Sequence, residues 1–198
     1  MIRCPLPLVD ADVDLVRGAM LPQPSVAILE TLMHTSPWRQ DEIKMFGRQV
    51  RQPRLHTWYG DPEAHYTYSG LHNVPLPWTP LLAALRAYAE KLCDAPFNAV
   101  LLNLYRDGQD SMGMHADDEP ELGPEPVIAS LSLGATRTLI FMHRNCADVR
   151  PVHIALQDSD WLIMRGATQQ NWHHGLNKQV RPVGPRISLT FREIKNVI

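Results

Sequence analysis

The stretch PVIASLSLGATRTLIFMH, residues 126–143, decides the fold. It holds two apolar runs, Pro126–Leu133 and Arg137–His143, broken by Gly134-Ala135-Thr136. Each is short, rich in strand-forming residues and bounded by turn formers, so both read as strands. Moving outward, the same signature recurs at Phe97–Arg106, Val152–Leu156, Trp161–Arg165 and Arg186–Glu193, with loops of Gly, Asp and Pro between. Six or more short strands so spaced predict an α+β, mainly β chain. The expected core is a jelly roll or related double sheet over residues 97–194, with the C-terminal half entirely β.

Upstream the period changes. Thr79 and Pro80 form an N-cap and first-turn pair, and Leu81, Leu82, Leu85, Ala89 and Leu92 recur at helical spacing. This predicts a supporting helix over 79–94, packed outside the sheets. Residues 44–78 hold aromatic and turn signals that suggest short strands joined by loops. Residues 1–37 carry Pro5, Pro7, Pro22, Pro24 and Pro37 and read as an arm with one short helix, Ser25–Met33, capped by Ser25. Nothing in 198 residues marks a second domain.

Composition narrows the class. With 44% hydrophobic and 20% charged residues and no apolar run approaching the roughly 20 residues a bilayer needs, the chain is expected to be soluble, monomeric and without a membrane partner. No secretory signal is visible at the N-terminus. Cys4, Cys93 and Cys146 are too scattered for a disulfide framework, so a cytoplasmic (or, in a eukaryote, nuclear) location is expected. A net charge of −2 excludes coating nucleic acid by bulk electrostatics. A local basic segment remains, in which Arg39, Lys44, Arg48, Arg51 and Arg54 outnumber Asp41 and Glu42. It reads either as a solvated face or as a phosphate track.

Three signals bear on chemistry. His115-Ala116-Asp117 is a two-residue step that, in extended backbone, points an imidazole and a carboxylate to one side. Alone it is weak. His173 and His174, in NWHHGLN, would face opposite ways, so one of them can complete a metal site. Two His and one carboxylate suit a non-haem iron(II) oxygenase, although zinc accepts the same donors. The separating signal is RISLTFR, in which Arg186, Ser188, Thr190 and Arg192 alternate with apolar residues. Paired guanidinium forks suit a dicarboxylate, and Asn103 and Tyr105 share a face of another strand as further donors.

Taken together, NLYRDG, MHADDEPELGPEPVIASLSLG, HHGL and PRISLTFR resemble the AlkB family of Fe(II)/2-oxoglutarate-dependent nucleic-acid dealkylases, and most its duplex-repair branch. The resemblance runs from about Trp38 to Ile194. It implies a double-stranded β-helix core with flanking helices, and residues 38–78 as a nucleotide-recognition lid. His115, Asp117 and His174 would hold Fe(II), with His173 turned outward. Asn103, Tyr105, Arg186, Ser188 and Arg192 would bind the co-substrate 2-oxoglutarate, Arg186 at its distal carboxylate and Arg192 near the metal, with O2 as the second co-substrate. The family often has Asn where this chain has Ser188.

The activity so implied is oxidative dealkylation of bases such as 1-methyladenine and 3-methylcytosine in DNA, or in RNA. The alkyl carbon is hydroxylated and lost as an aldehyde. An enzyme acting on a base must take it out of the stack. Tyr66 and Tyr68 match the family's substrate lid, Asp118 and Glu119 supply carboxylates for a cationic lesion, and Phe46 resembles the finger pushed into an opened duplex. The alternative reading is a 2-oxoglutarate-dependent hydroxylase or demethylase of RNA, protein or a small molecule.

Overall fold

The computed structural model describes residues 1–45, 48–64, 66–68 and 71–195; for 43–45, 48, 66–68 and 71–73 it describes the backbone alone. In chain order the elements are β1 (Ile2–Pro5), β2 (Asp12–Arg17), α1 (Ser25–Thr35), β3 (Glu42–Met45), β4 (Arg48–Arg51), β5 (Leu55–Gly60), β6 (Tyr66–Tyr68) and β7 (Leu71–Asn73). There follow α2 (Pro80–Cys93), β8 (Ala99–Tyr105), β9 (Met112–His115), a 3-10 turn at Pro120–Leu122, β10 (Ile128–Gly134), β11 (Arg137–His143), β12 (Val152–Leu156), β13 (Trp161–Arg165), α3 (Thr168–Asn171), β14 (Trp172–Leu176) and β15 (Arg186–Arg192).

Among the described residues, a large antiparallel sheet runs β1-β2-β13-β10-β15-β8-β5 and a smaller one runs β12-β11-β14-β9; β3-β4 and β6-β7 are separate hairpins. Strand alternation divides the large sheet into two faces. On one, Val100, Leu102, Leu104, Ala129, Leu131, Leu133, Ile187, Leu189 and Phe191 pack with Ile28 and Leu32 of α1 and Leu82, Leu85 and Ala89 of α2. The other face looks toward the smaller sheet. There Ile128, Leu162 and Met164 meet Phe141, Leu156 and Trp172, and beside them the inward polar residues of β8 and β15 line a cavity. This is a jelly roll in which helices cover the back of one sheet and the space between sheets is part core, part cavity.

The supporting helix expected over 79–94 forms as α2, Pro80–Cys93: Thr79 Oγ1 caps it by accepting from the Leu82 amide at 3.2 Å, with Pro80 in the first turn. Ser25 does not cap α1. Pro24 holds that position, and the Ser25 hydroxyl donates to Asp158 Oδ2 instead.

Further differences concern what belongs to the sheets. The first 17 residues, expected as an arm, supply β1 and β2, and β2 pairs with β13 from Asp12↔Arg165 to Val16↔Trp161. The signal is hidden because Asp12 and Asp14 are neutralised by Arg165, across 3.0 and 2.6 Å, from the far end of the chain. Likewise β5, inside the expected lid, pairs along its length with β8 as the opposite edge of the large sheet. The C-terminal half is not all β. Thr168–Asn171 turn into a short helix, where the Thr168 hydroxyl donates to the Arg165 carbonyl at 2.6 Å.

Candidate metal centre

β9 and β14 bring the first two candidate ligands together, because His115 and His174 are cross-strand partners. Their rings lie 4.4 Å apart. The pairing slips between His174 and Leu176, and at this irregularity Gly175 lets β9 approach: a Cβ on it would stand 3.1 Å from the carbonyls of Met112 and Gly113. Asp117 lies two residues beyond the end of β9, so strand register does not aim it. Its carboxylate is nevertheless held, with Oδ1 3.8 Å from His115 Nε2 and Oδ2 3.9 Å from His174 Nε2. Candidate donor atoms of the three residues all lie within 4.8 Å of one another. The two-residue step of the sequence reading therefore converges on one site, with Asp117 held by its own hydrogen bonds beyond the end of the strand.

The electrostatics match a cation. Asp117 Oδ1 accepts from the Arg192 guanidinium at 2.8 Å, while Oδ2 is buried with no hydrogen-bond partner among the described residues. Burial would raise the Asp117 pKa, but Arg192 and the two imidazoles outweigh it and hold the group below the usual carboxylate range. A charged carboxylate oxygen left unsatisfied in the interior fits a missing positive partner. Burial, with His115 beside it, lowers His174 to about 3, which keeps its imidazole neutral, the form that ligates metals. His115 Nδ1 sits 3.0 Å from the Gly113 carbonyl, so that nitrogen donates and Nε2 is the ring atom turned toward Asp117. His173 turns to the opposite side of β14 and stays half-buried, as the alternation predicts.

The cavity beside these ligands encloses about 60 Å³. It is lined by Asn103, Tyr105, Ser130, Arg186, Ser188, Thr190 and Arg192 together with His115, Asp117 and His174. Register explains the gathering: on β15, Arg186 faces Tyr105 and Ser188 faces Asn103 on one flank, and Ser188 faces Ser132 on the other. Arg186 is 3% exposed, donates to the Ser132 hydroxyl at 2.9 Å and has its guanidinium 5.3 Å from the centre of the Tyr105 ring. Its Nε is buried without a hydrogen-bond partner, and no carboxylate pairs with it among the described residues. Burial lowers its pKa, yet an arginine stays charged, so a cation waits here for an anion. Arg192, at the other end of the strand, is the arginine on the metal side. This donor set fits a dicarboxylate lying along β15 from the metal to Arg186.

Sequence reasoning missed several contributors. Arg54, 5% exposed on the approach to β5, donates from Nε to Asn103 Oδ1 at 3.0 Å, which fixes the amide so that its NH2 remains to donate. No spacing could have linked residues 49 positions apart. Ser130 and Ser132 follow from strand alternation once β10 and β15 are known neighbours. Of the proposed substrate residues, Asp118 is exposed and engaged by Arg144 Nη1 at 2.6 Å, and Glu119 is half-buried. Phe46 lies outside the described residues, and Tyr66 and Tyr68 are described as strand backbone only.

Comparison with known proteins agrees with this chemistry. The mouse alpha-ketoglutarate-dependent dioxygenase alkB homolog 3 is 42% identical over 175 residues, 84% of this chain and 60% of its own length. The mouse DNA oxidative demethylase ALKBH2 is 40% identical over 159 residues, 77% of this chain and 66% of that protein. This chain thus spans about 60% of the first of these relatives. A solved structure described as that of OsALKBH1 superposes with a TM-score of 0.63 at 16% identity, covering 96% of this chain and all of that one, and so shares the fold. The 2OG-Fe(II) oxygenase superfamily model matches residues 12–192, nearly the whole sheet system and every ligand candidate. By that match and the geometry beneath it, the chain belongs to the 2OG-Fe(II) oxygenase superfamily.

Proposed function

We propose that this chain oxidatively removes alkyl groups from nucleic-acid bases, with DNA as the main substrate. The observation that carries the reading is the meeting, in one buried cavity, of a His-Asp-His cluster with an orphaned carboxylate oxygen and a buried, carboxylate-free Arg186. Bound iron(II), with 2-oxoglutarate and O2, would supply hydroxylation of an unactivated alkyl carbon. His115, Asp117 and His174 would hold the metal on one side and leave its other positions open. Arg192 would orient Asp117 while facing the near end of 2-oxoglutarate, and Arg186, Tyr105 and Asn103 would bind its length and far carboxylate. Apolar walls from Leu101, Leu139, Leu156 and Leu176 would exclude water, which protects an oxidant from wasted turnover.

For the substrate, support comes from the relatives, whose printed names include a DNA oxidative demethylase. Support also comes from the exposed basic residues Arg39 and Arg51, suited to phosphates. Phe46 would fill the space of a flipped base, Tyr66 or Tyr68 would stack on it, and Asp118 or Glu119 would favour a cationic lesion. The deciding test is incubation with iron(II), 2-oxoglutarate and oligonucleotides carrying 1-methyladenine or 3-methylcytosine, in single-stranded DNA, duplex DNA and RNA. A net loss of one CH2 per lesion, dependent on both iron and 2-oxoglutarate, is expected in DNA. Loss on none of the three would refute the substrate assignment. Succinate production without any nucleic acid, stimulated by a peptide or small molecule, would favour the other hydroxylase reading.

A further inference from the structure

We propose that Gln169 is a positioning residue for the metal centre, presetting Asp117 through its main chain. The proposal rests on the metal site described above and adds to it. His115 and His174 are placed by paired strands, but Asp117 stands beyond the end of β9, where no ladder fixes it. Its carboxylate is tied by Arg192. Its backbone is tied by one side chain: the Asp117 amide donates to Gln169 Oε1 at 3.0 Å, in a fully buried bond between residues 52 positions apart. Gln169 is 1% exposed, and its Nε2 lies 3.4 Å from Met164 Sδ, which leaves the amide a single orientation.

The location of Gln169 matters as much as its bond. It lies in α3, which runs directly into β14, so the element that grips Asp117 also leads, five residues on, to His174. Arg144 closes the same junction from outside. Its Nη1 reaches both the Gln169 carbonyl, at 2.8 Å, and Asp118 Oδ2, at 2.6 Å, and its own amide donates to the Asn171 carbonyl at 2.7 Å. The segment 117–118 is thus clamped to α3 at two points, an inner neutral one and an outer ionic one. Fixing the φ and ψ of Asp117 in this way spares the metal the cost of ordering its carboxylate ligand, which is how outer partners commonly raise affinity.

Gln169→Met keeps volume and burial but removes the acceptor, whereas Gln169→Glu restores an acceptor oxygen. Mn(II) binding to the full chain, followed by the loss of the free-ion electron paramagnetic resonance signal, measures the site without turnover. Roughly tenfold or greater weakening is expected for Gln169→Met, with recovery in Gln169→Glu toward the parent value. Thermal unfolding of the metal-free proteins reports any purely structural effect separately. Equal Mn(II) affinity in parent and folded Gln169→Met overturns the proposal while leaving the metal site intact; failure of the parent to bind Mn(II) overturns the metal site itself. If Gln169→Met does not fold, Gln169→Asn, whose amide is withdrawn by one methylene, takes its place with the same expectation. Loss of folding in all three variants marks the bond as structural and overturns the proposal too.

Discussion

Arg186 carries a positive charge into the interior with a serine hydroxyl, an aromatic face and, among the described residues, no paired carboxylate. Such a group is costly unless a ligand completes it, and truncating one member of a buried charge pair typically loses about 2–5 kcal/mol. Arg186→Met should therefore weaken 2-oxoglutarate binding by about that amount, as read by calorimetric titration in the presence of Mn(II), with the metal affinity itself unchanged. At the neighbouring centre the two adjacent histidines should separate cleanly. His174→Ala is expected to abolish Mn(II) binding, and His173→Ala, on the far side of β14, to leave it within a factor of about two. Comparable losses in both would contradict the assignment. These residues were the most legible in the sequence, because period-2 alternation converts spacing directly into a shared face. Gln169 and Arg54 were not legible, since each acts through one hydrogen bond to a residue 52 or 49 positions away.

At the scale of elements, β9 reaches the smaller sheet only because Gly175 gives it room. The nearest atoms a new Cβ would meet are Met114 Sδ, at 2.7 Å, and two backbone carbonyls at 3.1 Å. The methionine can swing away, but the carbonyls belong to the strand that carries His115. Gly175→Ala should thus cost about 1–3 kcal/mol of stability and shift His115 relative to His174. Chemical denaturation and Mn(II) titration together check this, and an unchanged metal affinity would show that the close approach is not what sets the ligand geometry. The strands around this site were readable from alternation, and α2 from its capping pair. β2 and α3 were not: β2 buries Asp14, which Arg165 and Arg3 neutralise from other strands, and α3 is a single turn with no room to show periodicity.

For the molecule as a whole, the metal-free protein should be sensitive to acid. Burial lowers the pKa values of His56, His173 and His174, and Asp41 only partly offsets this at His56. In the unfolded chain these histidines titrate near the ordinary value, about 6.5. As pH falls below about 6.5 the unfolded chain takes up protons first, so stability is full above that value and declines toward the lower folded pKa values. Thermal melts of the metal-free protein should shift downward from pH 7.5 to pH 5.5, across the ordinary histidine value of about 6.5. Saturating Mn(II) should raise the melting temperature at pH 7.5, because only the folded chain presents the assembled site. A melting temperature that does not move with pH would count against buried, neutral histidines.

The account stands on iron-dependent oxidation being performed by the His115, Asp117 and His174 cluster with 2-oxoglutarate drawn to Arg186. The direct measurement is parallel quantification of succinate and restored cytosine from a 3-methylcytosine oligonucleotide, for the parent chain and for His174→Ala. Equal amounts of the two products from the parent, and neither from the variant, are predicted; base restoration that ignores 2-oxoglutarate or survives His174→Ala would contradict it.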